Sequence, residues 1–229
     1  MPESGLALTL SNLRVTFPPR AAPAVTAAST DHLHLPAGHH LGIAGPSGSG
    51  KTTLLHVIAG LLNPTQGAVR WGAHDLATMP EGARDAWRRR HLGLIFQDFH
   101  LIPELDARAN VLLPTGFGPG RHATASQADA ILDTMGIPDP RRRAANLSRG
   151  EQQRVAIARA LLAAPAIILA DEPTASLDAA TGRLVIDLLL ASATSLGATL
   201  IIVSHDPALL ARLPATRRMH AGHMNPATP

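Results

Sequence analysis

The chain has 229 residues, 45% hydrophobic and 16% charged, with a net charge of +3 and no cysteine. That length supports one sizeable α/β core with room for an inserted subdomain. It excludes disulfides and thiolate metal sites, and no apolar run reaches the ~20 residues of a membrane span.

Met1-Pro2-Glu3-Ser4-Gly5 has no basic segment followed by an apolar one, so no signal peptide is visible. The missing cysteine fits the cytosol. A pI of about 10.8 is mostly arithmetic, because with one Lys, no Tyr and no Cys little titrates between histidine and arginine. Arg88-Arg89-Arg90 and Arg141-Arg142-Arg143 are short, distant runs that read as solvated helix faces. With aromatic content at 3%, neither offers the stacking surface of a single-strand nucleic-acid binder.

Residues 6 to 17 read as extended. Leu6, Leu8 and Leu10 alternate, then Leu13, Val15 and Phe17 alternate in the opposite phase, so Ser11-Asn12 predicts a bulge or tight turn. Residues 18 to 30 are rich in Pro, Ala and Thr and read as a loop. Asp31 to Leu35 is a short alternating strand, ended by Pro36-Ala37-Gly38.

The apolar run Leu41-Gly42-Ile43-Ala44 then enters Gly45-Pro46-Ser47-Gly48-Ser49-Gly50-Lys51-Thr52-Thr53, and the helical pattern Leu54 to Ala59 leaves it. This is G-x-x-x-x-G-K-[ST] in its strand–loop–helix context. Glycines let backbone N–H groups turn onto an anion, and the helix adds its positive end. Lys51 reaches the β- and γ-phosphates, and the Thr52 hydroxyl ligates Mg²⁺. Lys51 is the only lysine of the chain, standing where a compact ammonium is needed.

Gly60 stops that helix, Ala68 to Trp71 is a strand, Arg84 to Arg90 is helical, and Leu92 to Gln97 is a strand ending in a polar residue. Residues 98 to 146 change character. Helical patterns at Leu105 to Leu113 and Ala123 to Met135 are divided by Pro103, Pro114, Pro119, Pro138 and Pro140, which reads as a helical insertion. The core resumes with a helix from Ser148 through Leu162, a strand Ile167 to Ala170, a helix from about Thr181 and a strand Leu200 to Val203. Apolar strands alternating with amphipathic helices predict a mostly parallel sheet covered on both faces.

Four apolar strands end in residues suited to phosphate chemistry: the phosphate loop, Gln97, Asp171-Glu172 and Ser204-His205. In open parallel sheets, ligands bind at the carboxyl ends of strands. Asp171 is the Mg²⁺-holding element and Glu172 the base that orients and deprotonates water. Asp171-Glu172-Pro173 also resembles a helix cap, but beside a phosphate loop the catalytic reading prevails. Gln97 can contact Mg²⁺ or water through its amide. His205 can bond the γ-phosphate and hold Glu172, although a strand-end histidine is more often merely a satisfied polar residue.

Leu147-Ser148-Arg149-Gly150-Glu151-Gln152-Gln153-Arg154 resembles the signature of ATP-binding-cassette (ABC) ATPases. Asp171 to Asp178 resembles their magnesium-site strand with its D-loop, and Ser204-His205-Asp206 their switch histidine. Ile95 to Pro103, with Ala109 to Pro114, is similar to the lipoprotein-release and macrolide-exporter group.

The resemblance implies an α/β phosphate-loop NTPase core with a mostly parallel sheet, an N-terminal antiparallel β region and an inserted helical subdomain. Residues 1–229 form one nucleotide-binding domain on this reading, with the core at about 1–97 and 150–229 and the subdomain at about 98–149. It also implies a head-to-tail homodimer or paired cassette, closing on ATP and Mg²⁺. Lys51 and Thr52 of one subunit then face Ser148, Gly150 and the Asp178 loop of the other, and Phe17 stacks on adenine in place of the usual tyrosine. The inserted helices grip membrane-spanning permease subunits, with Gln97 at the hinge. The chain is accordingly expected in the cytoplasm, peripheral on the membrane, with no nucleic acid as partner.

The signature departs from the usual Leu-Ser-Gly-Gly-Gln at Arg149 and Glu151, and Arg149 either adds positive charge near the phosphates or faces solvent, the second being the favoured reading. The chain ends soon after Arg218 to Gly222, which leaves no room for a regulatory domain and places the membrane part on another polypeptide. Two alternatives stay open: an ABC ATPase that drives a membrane partner without transport, and a soluble one acting on nucleic acid. The transported molecule is not encoded here.

Overall fold

The computed structural model describes residues 5–17, 25–116 and 123–225. In chain order the elements are β1 (Leu8–Phe17), β2 (Val25–Leu35), β3 (His40–Ala44), α1 (Lys51–Ile58), β4 (Gln66–Trp71), β5 (His74–Asp75), α2 (Glu81–His91) and β6 (Leu92–Ile95). Then come α3 (Ala107–Leu112), α4 (Ala125–Thr134), α5 (Arg149–Leu161), β7 (Ile167–Asp171), α6 (Ala179–Leu196), β8 (Thr199–Ser204), α7 (Pro207–Leu210), β9 (Thr216–His220) and β10 (His223–Met224). The strands run in the order β5-β4-β1-β2-β10-β9-β3-β8-β7-β6.

One half of the sheet is parallel: β9, β3, β8, β7 and β6 pair side by side in the same direction. Every residue of β7 and β8 is buried, which is why these strands read as continuous apolar runs instead of alternating ones. Ile167 and Leu169 face one layer with Ile43, Ile201, Val203 and the α1 residues Leu54, Val57 and Ile58. Ile168 and Ala170 face the other, packed on Val155 and Ile157 of α5 and Val185, Ile186 and Leu189 of α6. By length and composition α6 could cross a bilayer, with a mean hydropathy of 1.3. One face of it, Gly182, Val185, Ile186, Leu189 and Ala193, is buried in the described structure.

The other half is antiparallel, β2, β1, β4 and β5. The phase change expected at Ser11-Asn12 is present: Asn12 has φ 48, and the register with β4 slips between Ser11 and Arg14. Gly67, at φ 90, permits this, since a Cβ there would strike the Ser11 and Asn12 carbonyls.

Two expectations change. Residues 18–30 read as a loop, yet β2 begins at Val25; positions 18–24 lie outside the described residues. Ladder bonds to β1 from Phe17↔Val25 to Leu13↔Thr30 override the turn-like Ala and Ser composition. The arginine runs are not simply solvated either. Arg88 donates to Gly60 O at the C-terminal end of α1, and Arg142 pairs with Glu151 at 2.8 Å.

Between β6 and α5, helices α3 and α4 are joined by a forked Arg108–Asp129 pair, both bonds 2.6 Å. Fully buried Asn110 ties the incoming chain through Ile102 N at 2.7 Å and Ile102 O at 3.0 Å. Val111, Leu132, Met135 and Ile137 share one apolar cluster with α5 and the outer sheet face. Helices α3 and α4 are therefore built onto the core layer.

Candidate functional site

Neighbouring parallel strands β3, β8, β7 and β6 bring their carboxyl ends to one edge, with Ala44↔Ser204, Asp171↔Val203 and Ile95↔Ala170 in register. The phosphate loop leaves β3 there. Gly48 and Gly50 have φ 75 and 97, which glycine adopts without strain. A Cβ at Gly50 would strike Ala27 O, and one at Gly45 would strike Met219 O. The loop is thus clamped between β2 and the β9–β10 turn, where Gly222 N also donates to Ser49 O at 3.0 Å.

Lys51, 6% exposed, folds back over the loop. Its Nζ donates to Gly45 O at 2.8 Å and Pro46 O at 3.1 Å and lies 3.4 Å from Glu172 Oε1. Glu172 has φ 44, a strained backbone for a non-glycine residue and one typical of functional sites. Its Oε1 lies 2.9 Å from His205 Nδ1; its Oε2 accepts from Ser204 Oγ at 3.0 Å and from His205 N at 3.3 Å. Ser204 is fully buried and also accepts from Asp206 N at 3.1 Å. The sequence places Ser204 beside His205 at this strand end but gives it no role of its own, since a strand-end serine carries no signal until its acceptor is known.

Burial pushes the Asp171 carboxyl above its ordinary value and Glu172 adds to this, while a hydrogen bond with Thr52 pulls the other way. Asp171 Oδ1 is buried without a hydrogen-bond partner. A buried, unpartnered carboxylate oxygen next to a threonine hydroxyl is a donor set that suits a hard divalent cation.

Lys51, Thr52, Glu172 and His205 open into a cleft of about 680 Å³ lined also by Pro46, Ser47, Gly48, Gly50, Thr53 and Gln97, with a wall of Val25, Thr26, Ala27, Ala221 and Gly222; Asp171 and Ser204 do not line it. That wall was illegible beforehand: part of it lies in the segment read as a loop, and part in a plain Ala-Gly turn. Phe17 does not line the cleft. It is 48% exposed and pairs with the cleft residue Val25, so it stands at the rim.

Ser148, Gly150 and Asp178 are not brought to this cleft within the chain. Ser148 caps α5 reciprocally with Glu151: Glu151 N donates to its Oγ at 3.3 Å, and Ser148 N donates to Glu151 Oε2 at 2.8 Å. Burial raises Glu151, but Ser148 and Arg142 outweigh it and hold the carboxyl below its ordinary value. Asp178 caps α6 through Ala180 N and Thr181 N, both 3.0 Å. A Cβ at Gly150 would press on Thr181 Cγ2 at 2.5 Å, so these two helix starts touch. Arg149 is exposed, as expected, and its guanidinium also lies over the Phe99 ring, 5.2 Å from its centroid.

A glycine loop opening a helix, with an acidic pair, a glutamine and a histidine on adjacent strand ends, defines a phosphate-loop nucleotide site. The chain belongs to the ABC transporter family, whose sequence pattern matches residues 29–175. It is 43% identical over 190 residues to the lipoprotein-releasing system ATP-binding protein LolD of Shewanella oneidensis, covering 82% of each chain. It is 38% identical over 203 residues to LolD of Chromohalobacter salexigens, covering 88% of this chain and 86% of that one. A macrolide export ATP-binding/permease protein, MacB of Sodalis glossinidius, is 43% identical over 180 residues, which is 78% of this chain and 27% of that protein.

Among solved structures, the dimeric bacterial ABC transporter cassette MJ0796 superposes with a TM-score of 0.87 at 33% identity, covering 96% and 97% of the two chains. A dimeric post-hydrolysis state of MJ0796 bound to ADP and Pi gives 0.86 at 32%, with the same coverage. The ABC ATPase identified from the sequence, and its fold class, stand.

Proposed function

We propose that this chain binds and hydrolyses ATP as the nucleotide-binding subunit of a membrane transporter of the lipoprotein-releasing or macrolide-exporting type. One observation carries the reading: Lys51, Thr52, Gln97, Glu172 and His205, contributed by four different strand ends, line a single cleft.

In this reading the phosphate loop receives the triphosphate and Lys51 neutralises it. Ser204 and the His205 N–H fix Glu172, which takes the proton of the attacking water. His205 holds the other carboxylate oxygen. Phe17 at the rim stacks on the base. Thr52, Asp171 and Gln97 would hold Mg²⁺, whose charge offsets that of the phosphates.

Ser148, Gly150 and Asp178 stand outside the cleft because they serve the cleft of a second cassette, head to tail, each α5 start offering N–H donors to the partner's nucleotide. Two ATP molecules then act as glue, and hydrolysis releases it. Residues 98–149 are the subdomain that grips membrane-spanning permease subunits, with residues 1–97 and 150–229 as core. The subunit works at the cytoplasmic face of the membrane.

The test is capture of Glu172→Gln with ATP from detergent-solubilised native membranes. Recovery of a multi-span membrane protein supports the reading, and its external domains narrow the substrate. Recovery of only soluble proteins or nucleic acid overturns it.

A further inference from the structure

The segment after Gln97 is held in an unusual way. Phe99 and His100 are consecutive non-glycine residues with φ 51 and 48, a conformation disfavoured for each. The contacts that hold it come from α5. Arg159 donates to Phe99 O and to His100 O, both at 2.5 Å. Ten residues earlier on the same helix, the Arg149 guanidinium covers the Phe99 ring at 5.2 Å. Phe96 and His100 close the segment edge to face, 5.0 Å between centroids. Phe99 is 7% exposed, so its ring is enclosed while its carbonyl is pinned.

We propose that Arg149 is a positioning residue for Gln97. Through the Phe99 ring it ties the signature end of α5 to the strained turn from which Gln97 enters the cleft. Arg159 fixes the backbone of that turn, and Arg149 fixes its side chain. A displacement at the start of α5, the end read above as meeting a second cassette, is then carried directly to Gln97. A glycine at position 149 offers no such contact, so the tie comes with this chain's own departure from the usual signature. The inference rests on the reading of Gln97 as a group that acts on bound nucleotide.

The test is steady-state ATP hydrolysis by the full chain, its Arg149→Ala, Arg149→Lys and Gln97→Ala variants, and the Arg149→Ala/Gln97→Ala double variant. Arg149 is exposed, so its substitution leaves the fold intact. Loss of one exposed cation–π contact lowers kcat about two- to fivefold with KM for ATP unchanged, and Arg149→Lys recovers at least half of the lost rate. In the Gln97→Ala background the Arg149→Ala effect vanishes.

A rise in KM at constant kcat would mean direct phosphate binding by Arg149 and overturns the proposal. So does an Arg149→Ala protein with unchanged kcat. If Gln97→Ala slows turnover and the two losses multiply in the double variant, positioning alone is refuted. If Gln97→Ala leaves kcat unchanged, the reading of Gln97 fails and the positioning claim falls with it.

Discussion

Lys51 Nζ and Glu172 Oε1 lie 3.4 Å apart, an ion pair between side chains 6% and 10% exposed. The ammonium read as the phosphate ligand and the carboxylate read as the base therefore belong to one polar cluster. An entering γ-phosphate competes with Glu172 for Lys51. Glu172 does not then lose its place, because Ser204 and the His205 N–H hold its other oxygen.

Lys51→Ala is expected to slow hydrolysis at least ~10²-fold, the scale for removing one charged donor from a developing anion. Lys51→Arg is expected not to rescue it, since a planar fork cannot replace a point charge folded onto the Gly45 and Pro46 carbonyls. Steady-state ATPase assays on both variants check this. Wild-type turnover by the arginine variant would contradict it.

Ser204→Ala removes a donor from Glu172 and the acceptor of Asp206 N. Leaving buried polar groups unpaired costs about 1–3 kcal/mol, so thermal unfolding shifts down by several degrees. With Glu172 less firmly held, kcat falls about tenfold while KM for ATP is unchanged, the pattern of a lost transition-state interaction. A matched loss in KM would place Ser204 in substrate binding instead.

Much of this was legible in the sequence, and the rest was hidden for identifiable reasons. The parallel strands were readable because burial on both faces demands continuous apolar runs, and the phosphate loop because its glycines and lysine answer to local geometry. Val25 to Thr30 were not, since only long-range pairing with β1 makes them a strand. Ser204 needed knowledge of Glu172, a residue 32 positions away. Arg149 is a surface charge as read, but its contact with Phe99 was hidden because that ring lies far off in sequence.

Asp171 is a carboxylate raised by burial above its ordinary value of 3.8. A group raised on folding stabilises the fold below its unfolded pKa and loses that contribution as pH rises through its folded pKa. At neutral pH the ionised group therefore costs stability, and Asp171→Asn is expected to raise Tm by a few degrees without added metal. The gain shrinks as pH falls through the raised folded pKa and is gone below 3.8. Hydrolysis by the same variant drops more than tenfold, of the order expected when a metal-holding carboxylate is lost. Calorimetry across pH, paired with ATPase rates, tests both halves.

Glu151 has the opposite sign: Ser148 and Arg142 hold it below 4.5 despite burial. A depressed carboxyl contributes stability above its unfolded pKa and loses it as pH falls through the folded one. Wild type is therefore expected to unfold at a higher temperature than Glu151→Gln at pH 7, with the difference closing below pH 4.5. The pair is partly exposed, so the difference is small, on the order of 0.5 kcal/mol. A gap that persists at low pH would show that charge is not its source.

If Glu172 is the base of an ATP-closed dimer, the mass of Glu172→Gln in solution with saturating Mg²⁺ and ATP reports it. The expected species has twice the mass of the 23.9 kDa chain and holds unhydrolysed ATP, with turnover reduced at least ~10²-fold. A monomer under saturating ATP, or a variant that still turns over at the wild-type rate, would contradict it.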